Sequence, residues 1–341
     1  MKRFVVAVTW FLVLVGLPAP GQAQDQLSIR LNHLPWGMHI PYFVALEKGY
    51  FKELGLEVKI IPGQGALEAV NTVGAGREDI GLATVDTVLV AQGKGVPIKV
   101  IAMDMYENPS CLIFMKHSNI TRPKDLEGKS LGHLPASSMR YLTDAALKLN
   151  GVDLGKIKYV NHPPGAEFQL LTAGKIDAFG GFCMGQPPTL EAKGFKVGTF
   201  SMKDLGYDVY GTMLFVNERT VKERPESLTK FLRAWLKGQI YAHQNLHEST
   251  RLLLKHRADR DILEAAKFKI IIGMNRSEEA RQRGFGVMTD EGWQRSTEVL
   301  TRAGMLEKPP KPREVYTNEL IERAPEAKEF ARLLFSAQPK D

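Results

Sequence analysis

The sequence predicts an α/β protein built from a repeated βα unit, and three observations carry that prediction. Short apolar runs of strand length alternate with longer amphipathic runs of helical length. The alternation occurs as two successive sets, and beyond Asn217 the chain turns largely helical. Such repetition implies mostly parallel sheets with helices on their faces.

In the first set, residues 27–32 read as a strand and 41–54 as a helix ended by Gly55. There follow a strand at 56–61, a helix at 66–73, a short strand at 80–83, a helix at 87–92 and a strand at 98–103. The second set runs through a strand at 130–133, a helix at 138–150, a strand at 157–160, a helix at 167–173 and strands at 176–179 and 195–200. Residues 112–115 and 211–216 are β-rich and well placed to cross between the two sets, and strong helical patterns follow at 227–243 and 290–303.

Composition bounds the function classes. The chain has 341 residues, 44% hydrophobic and 24% charged, which is globular and too long for one compact core. At the start, Lys2 and Arg3 precede an apolar run over 4–17, then Pro18, Pro20 and small residues to Ala23. This order predicts a secretory signal cleaved near Ala23. The run is short for a membrane span, which takes roughly 20 apolar residues. No cysteine follows it, so a free extracytoplasmic protein is expected and a lipoprotein is not. The formal charge of +7 becomes +5 without Lys2 and Arg3. The richest basic stretch, 251–260, reads as a solvated helix face, and no nucleic-acid motif accompanies it. Cys111 and Cys183 are the two cysteines. An exported location permits a disulfide between them, buried free thiols fit equally well, and neither has metal-ligand spacing.

Several stations along the chain then resemble a family. They are His39-Ile40-Pro41-Tyr42-Phe43-Val44-Ala45-Leu46-Glu47-Lys48-Gly49-Tyr50-Phe51, Gly63-Gln64-Gly65, Gly74 to Gly81, Gly93 to Val100, Pro123 to Gly132, Leu171 to Ala178 and Tyr210-Gly211. In order and spacing they resemble periplasmic binding proteins of the nitrate, sulfonate, taurine and thiamine-pyrimidine-precursor group. The resemblance implies the type II periplasmic-binding-protein fold: two α/β lobes joined by two crossing strands, with ligand in the cleft. It places lobe 1 at 24–110 plus 211–341 and lobe 2 at 111–210. It also implies a monomeric solute-binding subunit that serves an ABC permease and its ATPase, closes about a hinge, and carries no cofactor and no catalytic residue.

Ligands of open α/β sheets bind beyond the carboxyl ends of strands, which selects the candidate residues. After the first strand come Asn32, Trp36, His39 and Tyr42, aromatic and polar groups suited to a flat ligand. Thr84 and Asp86 flank a helix start, where either caps the helix or Asp86 accepts from a ligand amine. In the second lobe, Ser137, Ser138 and Arg140 open a helix and suit an oxyanion or carbonyl. Glu167 starts the next helix, Phe182 follows a strand among glycines, and Tyr210 begins a crossing segment. The first group favours a pyrimidine-like heterocycle, the second a sulfonate, nitrate or carboxylate. A eukaryotic branch of the resembled family makes the thiamine pyrimidine with a histidine and a cysteine-rich motif. Here that region offers Cys183 alone, so an enzyme is the lesser expectation.

Overall fold

The computed structural model describes residues 24–134, 138–163 and 165–336. The leader expected over 1–23 and the candidate Ser137 lie outside the described residues. Ten strands occur in chain order: β1 (Asp25–Arg30), β2 (Leu56–Ile61), β3 (Ile80–Thr84), β4 (Ile98–Glu107), β5 (Ser110–Met115), β6 (Ser130–His133), β7 (Lys158–Asn161), β8 (Ala178–Phe182), β9 (Val197–Ser201) and β10 (Tyr210–Asn217). They form two five-stranded sheets, ordered β2-β1-β3-β10-β4 and β7-β6-β8-β5-β9. The chain leaves the first sheet after Glu107, enters the second at Ser110 and returns at Tyr210.

The expectation of mostly parallel sheets needs correction. Pairings among β1, β2 and β3, and among β6, β7 and β8, are parallel. However, β10 is antiparallel to both β3 and β4, and β5 is antiparallel to both β8 and β9. The connectivity explains this. A strand arriving from the other lobe enters its new sheet at the carboxyl ends of the βα strands, and so runs against them. Each arriving strand is seated by the same device. Phe215 of β10 lies opposite Gly81 of β3, and Phe114 of β5 opposite Gly198 of β9. A Cβ on either glycine would meet the facing ring at 2.3 Å, so the missing side chain is the ring's seat.

A second repeated device ties the start of each sheet's central strand, β3 or β8, to its parallel neighbour. Asp79 accepts from the backbone N–H and hydroxyl of Ser28, and Asp177 does the same for Ser130. In both sheets the serine hydroxyl in turn accepts the aspartate N–H at 3.0 Å.

The single helix expected over 41–54 is two, Ile40–Glu47 and Tyr50–Glu53, because Gly49 takes a left-handed φ of 78° that ends the first. The C-terminal helices pack around the first sheet. Helix Pro225–Gln244 lies against Ile40–Glu47 so closely that a Cβ on Gly238 would be 2.2 Å from the Pro41 carbonyl. Trp235, Trp293, Phe231, Phe268, Phe285 and Phe330 are fully buried in this layer, each contributing on the order of 2 kcal/mol by apolar burial. A satellite cluster containing Cys111, Ile113, Leu171, Ile176, Phe179 and Leu190 supports the second sheet. Among the described residues, no helix is long and apolar enough to cross a membrane.

Candidate functional site

The loop after β1 is fixed from three sides. His39 is fully buried; its Nδ1 accepts the Trp36 N–H at 3.2 Å, so its Nε2–H donates to Asn32 Oδ1 at 3.0 Å. Burial holds this imidazole well below its ordinary pKa, with the nearby His33 and Arg257 charges adding to the effect. Neutral His39 thus ties Asn32 to Trp36 and positions both. Gly37 donates its N–H to Glu264 Oε2 at 2.6 Å, and Glu264 Oε1 accepts from Lys267 at 2.7 Å, both side chains being buried on helix Leu263–Met274. Arg257 donates to the Pro35 carbonyl at 2.7 Å. The basic stretch is therefore not simply a solvated face: its Arg257 side chain is only 12% exposed, and Lys255 and His256 both bond Glu47.

So held, Trp36 stacks on Phe182, the last residue of β8, with centroids 6.0 Å apart and planes inclined by 29°. This contact joins the first sheet's loop to the second sheet's. Gly185 lies beside this pair, where a Cβ would come to 3.6 Å from the Trp36 ring, an ordinary contact. The Phe182 N–H is held by Gln186 Oε1 at 2.8 Å, and Cys183 donates its N–H to the Pro109 carbonyl at 2.8 Å. Cys111 lies beside Cys183, and burial with that neighbouring thiol pushes its pKa well up.

Asp86 stands in the first turn of helix Val85–Gly93 with 4% exposure. Its Oδ1 has no partner, while Oδ2 lies 3.4 Å from the Thr87 hydroxyl. Burial raises its pKa against hydrogen bonds from Thr84, Thr87 and the helix backbone. Thr84 occupies the N-cap position without capping, its hydroxyl meeting Thr87 Oγ1 at 3.2 Å. Other enclosed polar atoms without a hydrogen-bond partner include Asn108 Nδ2, Thr143 Oγ1 and Thr212 Oγ1. An enclosed polar atom left unpaired costs roughly 1–3 kcal/mol.

The remaining candidates are placed differently. Tyr42 is wholly buried, donates to Asp104 Oδ1 at 2.7 Å and stacks on Trp235, so its polar end is spent inside lobe 1. Tyr210 is 1% exposed, its hydroxyl accepts the Thr289 N–H at 3.2 Å, and its own N–H bonds Ser296; it ties the crossing strand to the C-terminal helices. Arg140 bonds Asp144 at 2.7 Å, approaches His133 Nε2 at 3.0 Å and lies over the Tyr159 ring. Its charge is therefore matched within its own lobe. Glu167 lies 3.9 Å from His162 Nδ1. Ser138 begins helix Ser138–Leu149. Two surface hollows of about 670 Å³ each, one beside Arg281, Lys328 and Phe335 and one beside Lys99, Lys222 and Tyr316, contain none of these residues.

From residue 36 to 249 the chain matches the NMT1/THI5-like family model. It belongs to the NMT1/THI5-like family. The chain is 29% identical over 231 residues to a 4-amino-5-hydroxymethyl-2-methylpyrimidine phosphate synthase of Saccharomyces cerevisiae, covering 64% of this chain and 67% of that one. It is 24% identical over 296 residues to the formylaminopyrimidine-binding protein of Halalkalibacterium halodurans, covering 84% and 88%. Among solved structures, the periplasmic aliphatic sulphonate binding protein SsuA of Escherichia coli superposes with a TM-score of 0.65 at 14% identity, over 86% of this chain and 92% of that one. The fold is thus that of the periplasmic binding proteins, two α/β lobes each with a five-stranded sheet.

In this NMT1/THI5-like chain, sequence reasoning missed Glu264 and Lys267, the pair under Gly37. A signal existed: two charges three residues apart interrupt the otherwise apolar run Leu263-Glu264-Ala265-Ala266-Lys267-Phe268, where helix pairing makes them neighbours. Asn108 was missed as well, although Asn108-Pro109 is a turn dipeptide between two strands.

Proposed function

We propose that this protein is the extracytoplasmic, monomeric solute-binding subunit of an ABC importer, that it captures a small flat heterocycle of the pyrimidine type, and that it catalyses no reaction. The observation that carries the reading is the Trp36–Phe182 stack across the two sheets, with Asp86 offering a buried oxygen that has no partner. A flat ring entering between the two aromatic faces gains a stacking partner on each side, and an amino group on it satisfies Asp86. The formylaminopyrimidine-binding relative supports the same class.

The oxyanion reading loses its charge. Arg140, its cation, is already neutralised by Asp144 and stacked on Tyr159. A synthase reading is favoured by the names of some relatives, but the groups it would call on are poorly poised here. His39 spends both ring nitrogens on Trp36 and Asn32, and Cys111 is held as a thiol by burial.

A thermal-shift series on residues 24–341 tests the proposal. At a hundredfold excess over Kd, a ligand that binds only the folded state adds about 2.7 kcal/mol and raises Tm. Aminopyrimidines are expected to raise it, with nitrate and alkylsulfonates inert. A larger shift with the sulfonates would overturn the ligand class, and release of a pyrimidine phosphate in a turnover assay would overturn the receptor role.

A further inference from the structure

Asn108 lies between β4 and β5, at the point where the chain passes from one sheet to the other, and it is 2% exposed. Its Oδ1 accepts the Ser110 N–H at 2.9 Å, which starts β5 and also identifies the outer nitrogen as the free end of the amide. That Nδ2 group is enclosed and has no partner. Pro109 restricts Asn108 to extended backbone, so the side chain's place is set by the chain on both sides.

The neighbours connect this amide to the site. Ser110 is paired with Phe182, and the Pro109 carbonyl holds the Cys183 N–H, so Asn108 adjoins the strand end that carries the aromatic partner of Trp36. On its other side Glu107 is paired with Tyr210, two residues along β10 from Thr212, which is paired with Thr84 at the start of the Asp86 helix. The pairings thus set a donor without a partner at Asn108, on the crossing next to the Phe182 strand, and an acceptor without a partner at Asp86, just past the end of β3, at ends of strands joined through β10.

Resting on the heterocycle reading above, we infer that Asn108 is a binding residue: its amide donates to a ring nitrogen or carbonyl of the solute while Asp86 accepts from the solute's amino group. The pair reads a donor beside an acceptor, as on the amino edge of an aminopyrimidine. Specificity follows, because a flat ring that keeps the amino group but lacks the acceptor leaves Asn108 unsatisfied on closure. The assignment also gives the crossing a direct sense of occupancy, since one end of the amide starts β5 and the other meets the ligand.

Asn108→Asp tests it with little change of shape, because the carboxylate keeps the acceptor that starts β5 and removes only the donor. Affinities of the wild type and variant are measured for cytosine, which has both groups, and for aniline, which has the amino group alone. The expected result is a loss of tenfold or more for cytosine, aniline unchanged and Tm within a few degrees of wild type. Asn108→Ser, whose shorter side chain keeps an acceptor for the Ser110 N–H and withdraws any donor from reach of the solute, repeats the comparison if the buried carboxylate lowers Tm. An equal loss for both probes, or none for cytosine, would mean that Asn108 only shapes the crossing and would overturn the inference. A wild-type protein that binds neither probe defeats the heterocycle reading and this assignment together, a result distinct from a variant that binds as wild type does.

Discussion

At Asp104 burial outweighs the single hydrogen bond from Tyr42, and the carboxyl is pushed up from 3.8 to about 7. The folded state therefore keeps its proton over a window in which the unfolded chain has lost it, and stability falls as pH rises between those two values. His39 acts with the opposite sign. Its folded pKa lies well below 6.5, so the unfolded chain takes up a proton first and stability is lost as pH drops below about 6.5. Asp104→Asn removes the first effect and leaves the second. Melting curves from pH 5 to pH 8 should show the variant gaining on wild type as pH rises, by a few kcal/mol at most; parallel curves would mean Asp104 is not protonated when folded. Trp36→Ala should weaken an aminopyrimidine by roughly 1 kcal/mol or more in calorimetric titration, since the ring is one wall of the stack. Unchanged binding would remove Trp36 from the site.

At the level of elements, the molecule relies on close approaches that glycine permits. Gly81→Ala places a methyl group against the Phe215 ring and should cost about 1–3 kcal/mol in denaturant unfolding, with Gly198→Ala against Phe114 behaving alike. Gly37→Ala meets the Glu264 carbonyl at 2.8 Å, a backbone atom that cannot swing aside, so it should move the Trp36 loop and weaken ligand more than it lowers Tm. The same elements show what the sequence could disclose. The βα rhythm placed most strands within a residue or two, because apolar periodicity is local. That β10 inserts between β3 and β4, and β5 between β8 and β9, was not readable, because register depends on partners far along the chain. Trp36, Phe182 and Asp86, the residues of the proposed site, could be nominated from strand-end loops alone. The engagement of Tyr42 with Asp104 and of Arg140 with Asp144 could not, since each depends on which face of a helix meets which neighbour.

For the whole molecule, the proposed binding reaction turns on the balance between open and closed arrangements of the lobes. Helix Leu263–Met274 touches helix Gln186–Ala192 of the second lobe, and Trp36 stacks on Phe182, so the two lobes are in contact. An aromatic pair of this kind contributes about 0.5–1.5 kcal/mol beyond its burial. On the proposed reading, a ligand inserted there would gain a ring contact on each face and satisfy Asp86, and its differential affinity for the closed form would drive the population there. Tryptophan emission reads the proposal directly, because Trp235 and Trp293 are sealed in the first-lobe core while Trp36 packs against Phe182 of the second sheet. Saturating cytosine should change the emission of wild type and leave Trp36→Phe nearly silent, and small-angle scattering should show Phe182→Ala more expanded without ligand and compacting on its addition. Identical scattering with and without ligand, together with an emission change that survives in Trp36→Phe, would place the solute away from the stack and the hinge outside the binding reaction.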